Sequence, residues 1–164
     1  YAGSTSIATY LRFSRDKSPI MTTEDTPFAT KKLQTFWVSD MPKVTIFAMG
    51  YMLFHALVAA KELEEEGIQT LVVNVATIKP FDVLDAVSLV SQTKAAVSVE
   101  DHQISGGLGG LLAETFAKHF QVPMEFVGLQ DTFAESGKPV ELLAKYNMDK
   151  HAIKDAVKKV LARI

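Results

Sequence analysis

The residues best suited to chemistry lie in one stretch of the chain, where two carboxylates and an imidazole precede a glycine-rich segment. They follow an apolar run typical of a buried strand, and ligand sites in α/β sheets lie at the carboxyl ends of strands. The glycines lead into a predicted helix, whose N-terminus favours an anion. The candidate acid–base or anion site, with an interface site as the alternative, consists of Glu100, Asp101, His102, Gly106, Gly107 and Gly109.

The alternative is a purely structural role, in which the segment is a strand–turn–helix junction whose glycines permit close packing. Its two carboxylates would then form ion pairs with a neighbouring domain. The segment is not a dinucleotide-binding fingerprint, because the third glycine of G-x-G-x-x-G would fall on Leu112.

Other reactive side chains give weaker signals. His55 and His119 lie within predicted helices, which favours packing or surface roles, and no two histidines have metal-ligand spacing. Arg12 and Arg15 flank an early polar turn, where a guanidinium could hold a phosphate. Ser14 and Ser105 lack a nucleophile-elbow context.

Composition excludes several classes of protein. The 164 residues are 48% hydrophobic and 22% charged with a formal charge of −2, which argues against a disordered chain and against a generic nucleic-acid or membrane-surface polycation. Cysteine is absent, so disulfides and thiolate chemistry are excluded, and a cytoplasmic location is expected. Residues 44–60 carry no charge, but a strand, a turn and a helix explain them better than a membrane span.

Strands and helices alternate from Leu33 onward. Such repeats predict a three-layer α/β/α domain with a mainly parallel sheet. The first strand has too short a link to be a parallel neighbour of the second, so it should pair antiparallel or lie apart. Predicted strands span 33–38, 44–49, 69–75, 95–100 and 124–127; predicted helices span 51–66, 83–92, 107–120 and 139–146, and a last helix follows Asp149.

The periodicity also predicts which side chains face the core. In the second helix we expect Val83, Leu84, Val87 and Val90 to point inward, and in the last helix Ile153, Val157, Val160 and Ile164. Gly67 is expected to end the first helix and Asp82 to cap the second.

Residues 1–30 differ from the rest. They are polar and interrupted by proline, with a linker at 22–27, and 9–13 could form a short strand. The chain begins at Tyr1 without Met, so we expect it to be a piece of a longer polypeptide.

Four segments together resemble one family. They are Leu11–Arg15, Thr77–Asp82, Ser98–Gly109 and Ser136–Leu143, of which Ser-Gly-Lys-Pro-x-x-Leu-Leu is the most specific. In this order they look like the C-terminal part of transketolase, over residues 9–164. The resemblance implies that 1–30 are the tail of a pyrimidine-binding domain plus a linker. Residues 31–164 would be the transketolase C-terminal domain, with five mixed strands of which one is antiparallel.

The resemblance also implies a function. Transketolases use thiamine diphosphate and Mg²⁺ to transfer a two-carbon ketol unit between sugar phosphates in the pentose phosphate pathway. The Gly-Asp-Gly…Asn motif that holds the metal is absent here, so we expect this segment to bind no cofactor and to be inactive alone. Expected partners are the remaining transketolase domains or subunit, within a homodimer, and no nucleic acid or membrane.

For individual residues, the resemblance assigns no catalytic group to this segment. Arg15 matches the family's substrate-phosphate arginine by its Ser-Arg context. Two alternatives stay open: the C-terminal domain of a 2-oxo acid dehydrogenase β subunit, and an anion- or effector-binding module built on the glycine-rich turn.

Overall fold

A computed structural model describes residues 2–4, 6–13 and 17–164. Strands and helices alternate in it as the periodicity predicts, beginning with a 3₁₀ turn at Ala2–Ser4. The strands are β1 Gln34–Val38, β2 Val44–Ala48, β3 Thr70–Asn74, β4 Ala96–Gln103 and β5 Met124–Leu129. The helices are α1 Met52–Glu65, α2 Val83–Thr93, α3 Leu108–His119, α4 Pro139–Lys145 and α5 Lys150–Leu161.

The five strands form one sheet in the order β1-β3-β2-β4-β5. β1 pairs antiparallel with β3, and the other pairs are parallel. The prediction of a mainly parallel sheet with one antiparallel strand is therefore confirmed. Parallel neighbours need a long crossover, and only residues 39–43 separate β1 from β2, so β1 takes the far side of β3.

Two apolar cores cover the two faces of the sheet. On one face α1 and α5 pack against the central strands, and on the other α2 and α3 do so. β2 is fully buried along its whole length, as expected for a strand covered on both faces. The stripe predicted for α1, consisting of Met52, Ala56, Ala59 and Leu63, is completely buried.

The predicted helix ends are confirmed by their hydrogen bonds. Gly67 has a φ of +80°, and the N–H groups of Gly67 and Ile68 donate to the carbonyls of Glu64 and Leu63 at the end of α1. The Asp82 carboxylate accepts the N–H of Asp85 at 3.2 Å and so caps α2.

Two side chains predicted to face the core are exposed instead. Leu84 is 84% exposed, because the buried stripe of α2 consists of Ala86, Val90 and Thr93. The Thr93 hydroxyl lies 2.8 Å from that of Thr45 in β2, and this buried hydroxyl pair requires the polar side chain to face the sheet. Ile164 is 63% exposed and lies beyond the end of α5.

Residues 1–30, here called the leader, contain no strand in their described part. The expected strand at 9–13 is wrong, because residues 8–13 form neither helix nor strand and their side chains are exposed. Later in the leader Met21 packs against the core, and the Gln34 side chain donates to the Pro27 carbonyl. Among the described residues, no helix is long and apolar enough to cross a membrane.

A charged network holds α5 against α1. The Glu62 carboxylate contacts Lys150 at 2.5 Å and Lys154 at 2.9 Å, and Glu66 contacts Lys154 and Lys158 at 2.7 Å each. Hydrogen bonds from Lys150 and then Lys154 lower the pKa of Glu62 from its ordinary value of 4.5 to about 2. The network thus joins the first helix to the last one.

Candidate functional site

The junction of β4 and α3 holds the residues that the sequence singled out. β4 continues past Glu100 to Gln103, three residues beyond the predicted end. The Glu100 side chain is completely buried. Its two carboxylate oxygens accept the N–H groups of Leu108 at 2.7 Å and Gly109 at 2.8 Å. These are N–H groups at the start of α3, which has no partner for them within its own backbone.

Three glycines leave the space that the Glu100 side chain occupies. A Cβ on Gly107 would lie 2.0 Å from Glu100 Oε2, and one on Gly109 would lie 2.9 Å from Ser98 Oγ and 2.8 Å from the ring of Phe126. A Cβ on Gly128 in β5 would lie 3.2 Å from Glu100 Cγ. The glycines therefore permit the strand, the helix start and a buried carboxylate to approach each other closely.

The carboxylate already occupies the position that an anion would take at this helix N-terminus. A negative charge there interacts favourably with the helix dipole, and two charge-assisted hydrogen bonds add to it. An external phosphate would have to compete with a bound carboxylate for the same N–H groups. The geometry is thus that of an internal cap that fixes α3 to β4.

The two residues after Glu100 are exposed and do not join it in a compact catalytic group. His102 Nδ1 lies 3.9 Å from Glu100 Oε2 and forms a 2.8 Å hydrogen bond with the Gln103 carbonyl oxygen. Asp101 projects from the opposite face of β4. Gly106 adopts a φ of +78° in the exposed turn. The structure therefore unites Glu100 with Gly107 and Gly109 and leaves Asp101 and His102 at the surface.

Two positions at this junction were missed by sequence reasoning. Gln103 uses its side-chain amide to hold the following loop: its oxygen accepts the N–H of Asp131 at 3.0 Å and its nitrogen donates to the Thr132 carbonyl at 2.8 Å. Ser98 Oγ is buried without a hydrogen-bond partner among the described residues. The role of Gln103 has no local signal in the sequence, because its two loop partners lie 28 and 29 positions away.

His55, which lies in α1, has a packing role. The His55 ring contacts Tyr51 at 5.1 Å and Phe54 at 5.7 Å between centroids. Burial lowers its pKa, with a smaller opposing effect from Asp149. His119 is exposed at the end of α3. In the part of the chain that is described, no group of three or more His, Asp or Glu could hold a metal ion.

The segment around Asp82 contacts residues 31 and 32, which lie between the leader and β1. Lys32 Nζ lies 2.7 Å from Asp82, and the Lys31 N–H donates to Thr77 Oγ1 at 3.0 Å. The hydrogen bond from Lys32, followed by the one from the Asp85 N–H, lowers the pKa of Asp82. Thr77–Asp82 is thus a structural segment that both starts α2 and fixes the residues before β1.

The Ser136–Leu143 segment forms a loop and the start of α4. Pro139 is the first residue of that helix, and Gly137 packs against Leu142. Tyr146 accepts the N–H of Glu135 at 3.0 Å, and Glu135 pairs with Lys145 at 2.6 Å. The phosphate-contact candidate Arg15 lies outside the described residues, and Arg12 is exposed.

A family model and two curated relatives all match the chain to transketolases. A family model described as "Transketolase, C-terminal domain" matches residues 36–153. One of the subunits of an apulose-4-phosphate transketolase from Phocaeicola vulgatus is 33% identical, over 88% of this chain and 46% of that protein. The 6-deoxy-6-sulfo-D-fructose transketolase subunit SqwH of a Clostridium species is 34% identical, over 94% and 47%.

A solved structure gives the same result at the level of the fold. A split-gene transketolase superimposes with a TM-score of 0.84 at 36% identity. It is described as an inactive "beta4 tetramer", a term that refers to subunits and not to strand β4. The alignment covers 90% of this chain and 48% of that one. The chain therefore spans about half the length of these relatives.

Proposed function

The chain belongs to the transketolase C-terminal domain family, and from this premise we propose that it is the C-terminal part of a transketolase that transfers a two-carbon ketol unit between sugar phosphates. The match to residues 36–153 carries the proposal, since it runs from the middle of β1 to the first turn of α5. Two relatives are named as transketolase subunits, which supports a parent enzyme whose chain is divided. We place this enzyme in the cytoplasm and in the pentose phosphate pathway.

The contribution of this segment is assembly rather than chemistry. The candidate carboxylate Glu100 is buried and bonded to α3, so it has no access to a substrate. The Gly-Asp-Gly…Asn motif that holds the Mg²⁺ of the diphosphate cofactor in this family is absent from the sequence. We therefore assign thiamine diphosphate and its metal to the remaining domains or subunit, where the cofactor supplies the carbanion chemistry.

The leader has a separate role in the proposal. Residues 1–30 would be the end of the preceding pyrimidine-binding domain plus the linker, and Arg15 would contact the substrate phosphate there. Large apolar side chains are exposed along it, including Tyr10, Phe13 and Ile20, which is the expected state of a segment without its neighbouring domain. The complete enzyme would pair two identical units, each containing this part and the remaining domains or subunit, and the isolated chain would be inactive. The inactive tetramer of the split-gene relative supports the expected inactivity of the isolated chain.

A chimera tests the proposal. Residues 33–164 replace the matching segment of the SqwH subunit, and the product is combined with its partner subunit. We expect the chimera to assemble and to retain ketol transfer, whereas the isolated chain gives no turnover and no saturable heat with thiamine diphosphate and Mg²⁺. A folded chimera without turnover, or a micromolar cofactor site on the isolated chain, would contradict the assignment. The alternative of a 2-oxo acid dehydrogenase β subunit is not favoured by the relatives found.

A further inference from the structure

A cleft of about 420 Å³ lies at the carboxyl ends of the parallel strands, on the α1 side of the sheet. Tyr51 follows β2, Asp101 lies near the end of β4, and Leu129 ends β5. The loop before α4, α4 itself and Met148 close the other side. The volume lies within the range of about 300–1,000 Å³ that is common for small-molecule sites.

The cleft coincides with the point where the strand order reverses. From β2 the chain passes through α1 to β3 on one side, and it then returns through α2 to β4 on the other side of β2. In open α/β sheets, ligands bind outside the carboxyl ends of strands at such a point. Because successive side chains of a strand alternate between faces, Glu100 points to α3 while Asp101 points into the cleft.

The walls of the cleft combine an apolar surface with two unpaired charges. The apolar and aromatic lining includes Tyr51, Tyr146, Leu129, Leu142, Leu143 and Met148. The charged lining consists of Lys17 and Asp101, both exposed. Neither side chain forms a hydrogen bond or an ion pair with any residue of the described ranges, unlike the lysines and carboxylates that pair across α1 and α5.

We propose that this cleft binds a nucleotide. The aromatic and apolar wall suits a planar base. The Asp101 carboxylate can only accept hydrogen bonds, and ribose hydroxyls supply the donors. The Lys17 ammonium suits the phosphate. A simple sugar phosphate would leave the apolar wall without a partner, so the ligand class differs from the sugar-phosphate substrates of the proposed enzyme.

Calorimetric titration of the whole chain with four ligands tests the ligand class. AMP should bind with a Kd below about 1 mM and adenosine more weakly. Ribose 5-phosphate and inorganic phosphate should bind at least about tenfold more weakly than AMP. ¹⁵N spectra should show AMP-dependent shifts at Tyr51, Leu129 and Met148. No binding of AMP, equal affinity for AMP and ribose 5-phosphate, or shifts confined to other surfaces would overturn the proposal.

Variants at exposed positions test the assigned contacts without threatening the fold. Lys17→Ala should weaken AMP about 3- to 10-fold and leave adenosine unchanged, because an exposed charged contact contributes less than a buried one. Asp101→Asn should weaken both ligands, and Ala134→Phe should abolish binding by filling the cleft.

Matched controls lie outside the cleft. Lys61→Ala and Asp155→Asn remove exposed charges elsewhere and should bind AMP like the unaltered chain. Effects of equal size in the controls, or full affinity in Ala134→Phe with native spectra, would refute the site.

Discussion

Replacing Glu100 by glutamine should destabilise the domain although it changes only one atom of the side chain. The two carboxylate oxygens accept the N–H groups of Leu108 and Gly109 at 2.7 and 2.8 Å, and the residue is fully buried. An amide keeps one oxygen acceptor and directs its NH₂ group at the other N–H. One backbone donor is then left without a partner in a site that water does not reach.

The magnitude follows from these two bonds. A hydrogen bond to a charged group is worth about 1 kcal/mol more than a neutral one, and an unpaired buried donor costs about 1–3 kcal/mol. Their sum predicts a loss of about 2–4 kcal/mol in the free energy of unfolding. With a slope near 2 kcal/mol per molar urea, the unfolding midpoint should fall by about 1–2 M.

Urea unfolding followed by circular dichroism measures this loss, and hydrogen exchange locates it. The amides of Leu108 and Gly109 should exchange faster in Glu100→Gln, because they lose their acceptor. Asp101→Asn is the matched control, since it neutralises the adjacent but exposed carboxylate. A Glu100→Gln midpoint equal to that of Asp101→Asn would show that the carboxylate does not hold α3 in place.

Three further perturbations test other parts of the structure. Gly109→Ala should cost about 1–3 kcal/mol of stability in urea unfolding, since its Cβ would lie 2.8 Å from Phe126. Because the pKa of Glu62 is lowered to about 2, its contribution is complete above pH 4.5 and should be lost as the pH falls toward 2 in unfolding titrations. Arg15→Ala in the complete enzyme should reduce kcat/KM for phosphorylated acceptors about 10- to 150-fold, by steady-state kinetics.

Each of these perturbations has its own control. Gly110→Ala in the same helix meets nothing closer than 3.8 Å and should stabilise by about 0.5–1 kcal/mol, so destabilisation by both glycine variants would refute the packing argument. Glu62→Gln should weaken the dependence on acidic pH, and an unchanged acid profile would remove Glu62 as its source. Equal losses of Arg15→Ala on phosphorylated and unphosphorylated acceptors would assign that arginine to folding instead of phosphate binding.

Much of the fold could be predicted from the sequence because its signals are local. Apolar runs, an α1 stripe of period 3.6 and the short link between β1 and β2 together predicted a mainly parallel sheet whose first strand pairs antiparallel or lies apart, and the family resemblance implied the antiparallel pairing. The orientation of Leu84 could not be predicted this way. It depends on the contact between Thr93 and Thr45, which lie 48 positions apart in the chain.

In the candidate site, too, local features could be predicted from the sequence and features that depend on distant residues could not. The sequence placed Glu100 and the glycines at a strand–helix junction, as the structure has them. Whether the carboxylate faces solvent or the helix N-terminus depends on β5, where Gly128 leaves room for it. The cleft beside Asp101 likewise depends on distant residues, since α4 and Met148 form its far wall.

The docking of α5 has a consequence for the order in which the domain is made on the ribosome. Ile153, Val157 and Val160 of this last helix complete the core that includes β2, β4 and α1. Until that helix leaves the exit tunnel, α1 covers only part of this face of the sheet, and the surface of β4 and β5 that α5 covers in the finished domain stays open although all five strands have been synthesised. A nascent chain halted before Lys150 would therefore present apolar surface beside α1 to chaperones, and the domain closes only after α5 has emerged.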